Sequence, residues 1–146
     1  MKKPILHPTD FSPASRTAFT HALALAREKG AELLLINVLP TVMPMVGKGY
    51  MSPKTFDDIQ RSGRAYAQKQ LDRLVAKAKA RRVRARGFLY EGMAADAIVR
   101  AAHAKHAGMI AMGTHGRTGL TRLLMGSVAE HVIGTAPCPV LTVRGK

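Results

Sequence analysis

The residues best suited to chemistry lie between Gly108 and Val128, in the run GMIAMGTHGRTGLTRLLMGSV. Three glycines and a serine are spaced Gly113-x2-Gly116-x9-Gly126-Ser127. The four apolar residues Met109 to Met112, bounded by glycine, read as a strand buried on both faces. Gly126-Ser127 open an apolar helical pattern. Glycines let backbone N–H groups come close to a ligand. The first N–H groups of a helix have no partners within it, and their partial positive charge favours phosphate. The chemistry this run offers is the binding of an anion by bare amides. Its spacing is neither G-x-x-x-x-G-K-[ST] nor a strand-borne G-x-G-x-x-G, so the two commonest phosphate fingerprints are excluded.

Other residues with chemical potential are scattered. Asp10 ends an apolar stretch that begins at Ile5, where a parallel sheet presents ligands. On spacing alone it serves either a ligand or the turn that follows. His7 is read as a neutral core histidine, with a pH-sensitive group beside the pocket as the sharper alternative. His103 and His106 are one helical turn apart, but no acid or cysteine nearby completes a metal set, so no metal site is assigned. Ser127 has no convincing base, although His115 and His131 are close in sequence. Phosphoryl transfer needs a positioned nucleophile and an acid to hold metal, so the chain reads as a binding protein, with slow hydrolysis of a bound phosphate compound as its outer limit. Cys138 is the only cysteine; it precludes an internal disulfide and reads as a small buried apolar residue.

The elements that must position these residues alternate. Ile5 to Asp10 is a first strand; Ser12 caps a helix whose first residue is Pro13 and whose end is marked by Gly30. Ala31 to Leu39 is a second strand. Pro40 to Thr55, rich in proline, glycine and methionine, is expected to be irregular: a lid or partner surface, or a disordered excursion. A long helix spans Phe56 to Arg82, with Ile59, Tyr66, Leu71, Leu74 and Val75 among its apolar positions and arginine and lysine over much of the rest. Val83 to Tyr90 is a third strand whose basic flanks, Arg84 and Arg86, suit a sheet edge. A third helix carries Ile98, Val99 and Ala102 inward, the last helix runs to Thr135 with Gly134 at its end, and Pro139 to Val143 is the final strand. Such alternation predicts an α/β fold: a parallel sheet covered by helices on both faces. No linker or repeat divides the 146 residues, so residues 1–146 are expected to form one domain.

The formal net charge of +14, from 23 Lys+Arg against 9 Asp+Glu, attracts polyanions. Much of it falls between Arg61 and Arg86, where Tyr66 is the only aromatic, so stacking on bases has little support. No apolar run reaches the ~20 residues of a membrane span. The basic start, Met1-Lys2-Lys3-Pro4, is followed by too short an apolar run for a signal peptide, and a cytoplasmic location is expected.

The glycine spacing and its flanks, MGTHGRTGLTRLLMGSVAEHVI, resemble the C-terminal nucleotide-binding block of the universal stress protein family; PTDFS resembles that family's first-strand word. The resemblance extends over essentially the whole chain. It implies a five-stranded parallel sheet of order 3-2-1-4-5 with a Rossmann-like adenine-nucleotide site. It implies that Pro8, Thr9, Asp10 and Val38 surround the adenosine end, that Met112, Gly113, His115 and Gly116 line the ribose and first phosphates, and that Gly126, Ser127 and Val128 meet the outer phosphates, with Arg117 adding charge. The implied ligand is ATP, with Mg2+ carried mainly by the phosphates. The implied role is that of a stress-response sensor or regulator with an unidentified protein partner. A homodimer through Pro139-Val143 follows from the same resemblance, and a polyanion-binding stress module or a weak ATPase are the alternatives. Four departures stand out: the basic balance, His7 where relatives usually carry an apolar residue, Asn37, which is assigned no role, where they often carry histidine, and Ala94 where they often carry proline.

Overall fold

The computed structural model describes residues 2–41, 51–114 and 126–145. Among them the element order is β1 (Ile5–Pro8), α1 (Pro13–Lys29), β2 (Leu33–Leu39), α2 (Pro53–Ala80), β3 (Ala85–Glu91), α3 (Ala94–Ala104), β4 (Met109–Gly113), α4 (Ser127–Thr135) and β5 (Val140–Val143). The strands form one parallel sheet in the order β3-β2-β1-β4-β5. This is the α/β architecture, and the strand order, that the sequence resemblance implies.

The inner strands explain why both faces must be covered. Leu33, Leu34, Leu35 and Ile36 are all fully buried, so successive side chains enter opposite layers. Leu33 and Leu35 pack with Phe19, Ala22 and Ala26 of α1 and Leu71 and Ala78 of α2. Leu34 and Ile36 pack on the other side with Ile98, Ala101 and Ala102 of α3 and Ala129 and Val132 of α4. Small residues on the inner helix faces let the helices approach closely. Gly87 of β3 does the same from the sheet: a Cβ there would stand 3.4 Å from both Leu71 and Val75 of α2.

Helix ends follow local chemistry. The Ser12 side chain accepts a hydrogen bond from the Ser15 N–H, Pro13 opens α1, and Gly30 closes it in the left-handed region at φ 65°. Ser52 and Pro53 repeat that start, with Ser52 Oγ accepting from the Thr55 N–H at 3.1 Å. Hence α2 begins three residues before the expected Phe56, because Pro53 is a first-turn proline rather than a loop marker. Residues 42–50 of the expected irregular stretch lie outside the described residues. Other boundaries also shift. β1 stops at Pro8 and leaves Asp10 in the turn, β2 and β3 each start two residues late, and β5 starts at Val140 rather than Pro139. α4 ends through Ala136 in extended backbone, with Gly134 inside the helix. Ile59 and Tyr66, expected on the apolar side of α2, are about half exposed, at 51% and 52%; the buried positions of α2 begin only at Ala67.

Candidate functional site

Strand order fixes where a ligand can enter. β1 pairs with β2 on one side and β4 on the other, so the chain direction of the crossovers reverses between β1 and β4. At the carboxyl ends of these strands lies a cleft of about 350 Å³, in the size range of small-molecule sites. One wall is the β1–α1 turn: Pro8, Thr9, Asp10 and Ser15. The floor and back come from Ile36, Asn37 and Val38 of β2, Ala94 and Ile98 of α3, and Met112 of β4. The far wall is Gly113 and Thr114, then Gly126, Ser127, Val128 and Ala129 at the start of α4.

The β1–α1 turn is held by its own side chains. Thr9 Oγ1 accepts from the Phe11 N–H at 3.0 Å, and Asp10 Oδ1 accepts from the Ser12 N–H at 3.0 Å. These short side-chain turns hold Phe11 in the left-handed region at φ 64°. Ser15 Oγ donates to Asp10 Oδ1 at 3.0 Å, and the Asp10 N–H donates to Ser15 Oγ at 3.2 Å. Asp10 therefore braces its turn, as the second reading expected, and also lines the cleft. From β2, Asn37 Nδ2 donates to the Thr9 carbonyl at 2.8 Å, while the Thr9 N–H donates to the Ile36 carbonyl. The wall formed by the β1–α1 turn is thus fixed to the sheet beneath it.

The opposite wall is built differently. The Thr114 N–H donates to the Val143 carbonyl at 3.0 Å, and the Gly126 N–H donates to the Thr114 carbonyl at 2.7 Å. These bonds seat the start of α4 against the end of β4. Gly126 occupies the N-cap with φ −64° and ψ 151° and, as a glycine, brings no capping side chain of its own. The first amides of α4 have no acceptor within the helix itself. The φ value is one that any residue adopts, so a glycine here supplies room rather than an unusual conformation.

Charge in the cleft is sparse. Among the described lining residues, Asp10 is the only charged side chain. No described basic side chain lines the cleft, so among the described residues an anion there is met by backbone dipoles. His131 Nε2 lies 3.4 Å from Asp96 Oδ1, across the α3–α4 contact.

Below the cleft, His7 of β1 is fully buried, and one ring nitrogen, Nδ1, bonds the Ala111 carbonyl of β4 at 2.8 Å. Its Nε2 is buried without a hydrogen-bond partner among the described residues. Burial pulls its pKa down from 6.5 to about 4, against the smaller opposing pulls of the Ala111 carbonyl and Asp10. It is a neutral core histidine over most of the pH range. Cys138, expected to be buried, is only partly so; it packs on the α3–α4 side of the core, and burial pushes its thiol pKa up.

The structure brings nine of the residues implied by the sequence into one cleft: Pro8, Thr9, Asp10, Val38, Met112, Gly113, Gly126, Ser127 and Val128. His115, Gly116 and Arg117 lie outside the described residues. Sequence reasoning missed Ser15, Ile36, Asn37, Ala94, Ile98, Thr114 and Ala129. Asn37 gave a signal that was passed over: it is the one polar residue in the apolar run Leu33 to Leu39. Ser15 gave a fainter one, as a polar residue on the helix face that Ala18 and Ala22 bury.

Comparison with known proteins closes the identification. The model of the universal stress protein family matches residues 1–144. Universal stress protein MJ0531 of Methanocaldococcus jannaschii is 39% identical over 142 residues, which is 97% of this chain and 82% of that protein. The solved structure of MJ0577 superposes with a TM-score of 0.84 at 28% identity, covering 100% of this chain and 98% of the other; the curated MJ0577 protein is a universal stress protein of the same organism. More distant structures share the fold. One, from Archaeoglobus fulgidus, is a universal stress protein in complex with dAMP, with TM-score 0.67, 22% identity and 97% coverage of both chains. Another is a universal stress protein in complex with cAMP, with TM-score 0.72, 23% identity and coverage of 99% and 98%. Fold, strand order and the length of the match agree: the chain belongs to the universal stress protein family.

Proposed function

We propose that this chain binds an adenine nucleotide, ATP in particular, in the cleft between β1 and β4, and acts as a nucleotide-dependent stress-response regulator rather than a metabolic enzyme. The observation that carries the reading is the start of α4, with a glycine at its N-cap, facing the Asp10 turn across one cleft. An apolar slot of Val38, Ile98 and Met112 suits a base, Asp10 suits a ribose hydroxyl or base edge, and the head of α4 suits phosphates. Pro8, Thr9, Gly113, Ser127 and Val128 complete the contact surface, and His115, Gly116 and Arg117 are assigned to it from the sequence motif. The dAMP and cAMP complexes of family members with this fold are consistent with an adenine ligand.

Magnitudes agree with a multi-amide grip. A micromolar ligand needs about 8 kcal/mol. A helix-end field gives an exposed anion roughly 0.3–1 kcal/mol, and a charge-assisted hydrogen bond about 1.5–3 kcal/mol before ordering costs. Several amide contacts must act together. Magnesium, in this reading, rides on the phosphates, because Asp10 is the only carboxylate lining the described cleft and its Oδ1 already accepts two hydrogen bonds.

The reading includes one domain over 1–146 and a homodimer. β5 lies at one edge of the sheet, with Leu141 38% exposed and Ile133 of α4 46% exposed; its residues, Val140 to Val143, carry no charge, so two copies can pair without repulsion. Leu141→Lys should convert a dimer to a monomer in sedimentation.

Calorimetry with AMP, ADP and ATP tests the nucleotide assignment. Affinity should rise with each phosphate added and fall with Asp10→Ala. Equal affinity for adenosine and ATP would remove the role given to α4.

A further inference from the structure

We infer that the edge of β3 that no described strand covers, together with the overhanging face of α2, is a docking strand for an extended acidic peptide segment of a partner protein. β3 is the sheet's other outer strand. The Arg84 carbonyl accepts from the Leu33 N–H, and the Gly92 N–H donates to the Leu39 carbonyl, both toward β2. In a parallel ladder the alternate residues between them follow, so the backbone groups of Ala85, Gly87 and Leu89 face away from the sheet. Above this edge lies a shallow groove lined by Gly87, Phe88 and Leu89 of β3 and by Arg61, Arg64 and Gln68 of α2.

Charge selects the occupant. The two edges of the sheet are opposites: β5 is uncharged, whereas the β3 edge carries Arg84 and Arg86 beneath the arginines of α2. Like charges brought opposite each other are destabilising, so a second copy does not pair here. Arg86 is matched by Glu32 and Arg64 by Glu91, while Arg61 makes no ion pair among the described residues. Alternating acidic side chains on an added strand would meet Arg61 and Arg64 from the α2 side, and its amides would continue the ladder.

A single-stranded nucleic acid fits less well. Stacking on bases needs open aromatic faces. The Phe88 ring has Lys105 Nζ 4.0 Å from its centroid and the Arg86 guanidinium at 5.5 Å, and it stacks on Tyr90. The Tyr66 ring is met edge-on by Phe11. A nucleic acid can offer phosphate oxygens to the outward N–H groups of Gly87 and Leu89, but no row of donors at strand spacing to their carbonyls.

The test uses fluorescence anisotropy of the full chain at ~150 mM salt, where nonspecific charge attraction is largely screened. The probe is a labelled, capped ten-residue peptide alternating Glu and Thr. Saturable binding is expected, weakened about tenfold or more by Arg61→Glu with Arg64→Glu. Two further peptides, N-methylated at the Glu amides or at the Thr amides, address the backbone on unaltered protein. One set should abolish binding and the other be tolerated, because strand pairing has a period of two. Equal binding of both methylated peptides, or tighter binding of a ten-nucleotide dT strand than of the parent peptide, would overturn the proposal.

Discussion

Ser15 Oγ stands 3.0 Å from Asp10 Oδ1 and donates to it, while accepting from the Asp10 N–H. This two-way contact, made by a nearly buried hydroxyl, sets the carboxylate at the mouth of the cleft. Ser15→Ala removes both the donor to the Asp10 carboxylate and the acceptor of the Asp10 N–H. We expect a loss of roughly 1 kcal/mol in stability and weaker ATP binding, less than Asp10→Ala causes. In a double-mutant cycle the two changes should be clearly non-additive. Additive effects on ATP affinity would show that Ser15 does not act through Asp10.

Asn37 secures the same wall from below. Its Nδ2 donates to the Thr9 carbonyl at 2.8 Å in a nearly buried position. Asn37→Leu would leave that carbonyl without this partner, at a cost of about 1–3 kcal/mol. Chemical denaturation should report the loss as a lower midpoint with an unchanged slope.

His7 gives a pH signature. Its folded pKa, about 4, lies below the ordinary 6.5. The unfolded chain therefore binds more protons between these values, so stability is full above pH 6.5 and falls as pH drops toward 4. The total loss is about 3 kcal/mol from this residue. His7→Val should flatten the acid limb of the stability curve over that window. An unchanged limb would mean that other groups govern it.

The two ends of α2 should respond differently. Leu71→Ala opens a fully buried position and should cost about 2–5 kcal/mol. Ile59→Ser, at a half-exposed position, should stay within about 0.5 kcal/mol of the parent. Thermal unfolding of both variants distinguishes them.

These contrasts show which parts of the molecule could be read from residue order. The alternation of Leu33 to Ile36 runs with amphipathic helices announced a covered parallel sheet, and Ser12-Pro13 and Gly30 marked α1 correctly. The glycine spacing led to Gly113 and Gly126, and the cleft unites them with Asp10. What local pattern could not show was three-dimensional reach. Ile59 and Tyr66 keep helical spacing yet lie in the part of α2 where burial has not begun, because periodicity reveals a face but not where its neighbour stops. Pro53 was misread because proline marks both loops and first turns. Ser15 and Asn37 were missed because their partners, Asp10 and Thr9, are brought to them by the fold of the β1–α1 turn against β2.

The most direct test is ATP calorimetry on Gly126→Asp. Its backbone angles suit aspartate, a favourable N-cap residue, so the variant should unfold at the same temperature as the parent or slightly higher. Its carboxylate would occupy the head of α4 and repel phosphate, so ATP binding should fall by at least about a hundredfold, or roughly 2.7 kcal/mol. Undiminished ATP affinity in a folded Gly126→Asp protein would contradict the central claim that the amides of α4 hold the nucleotide.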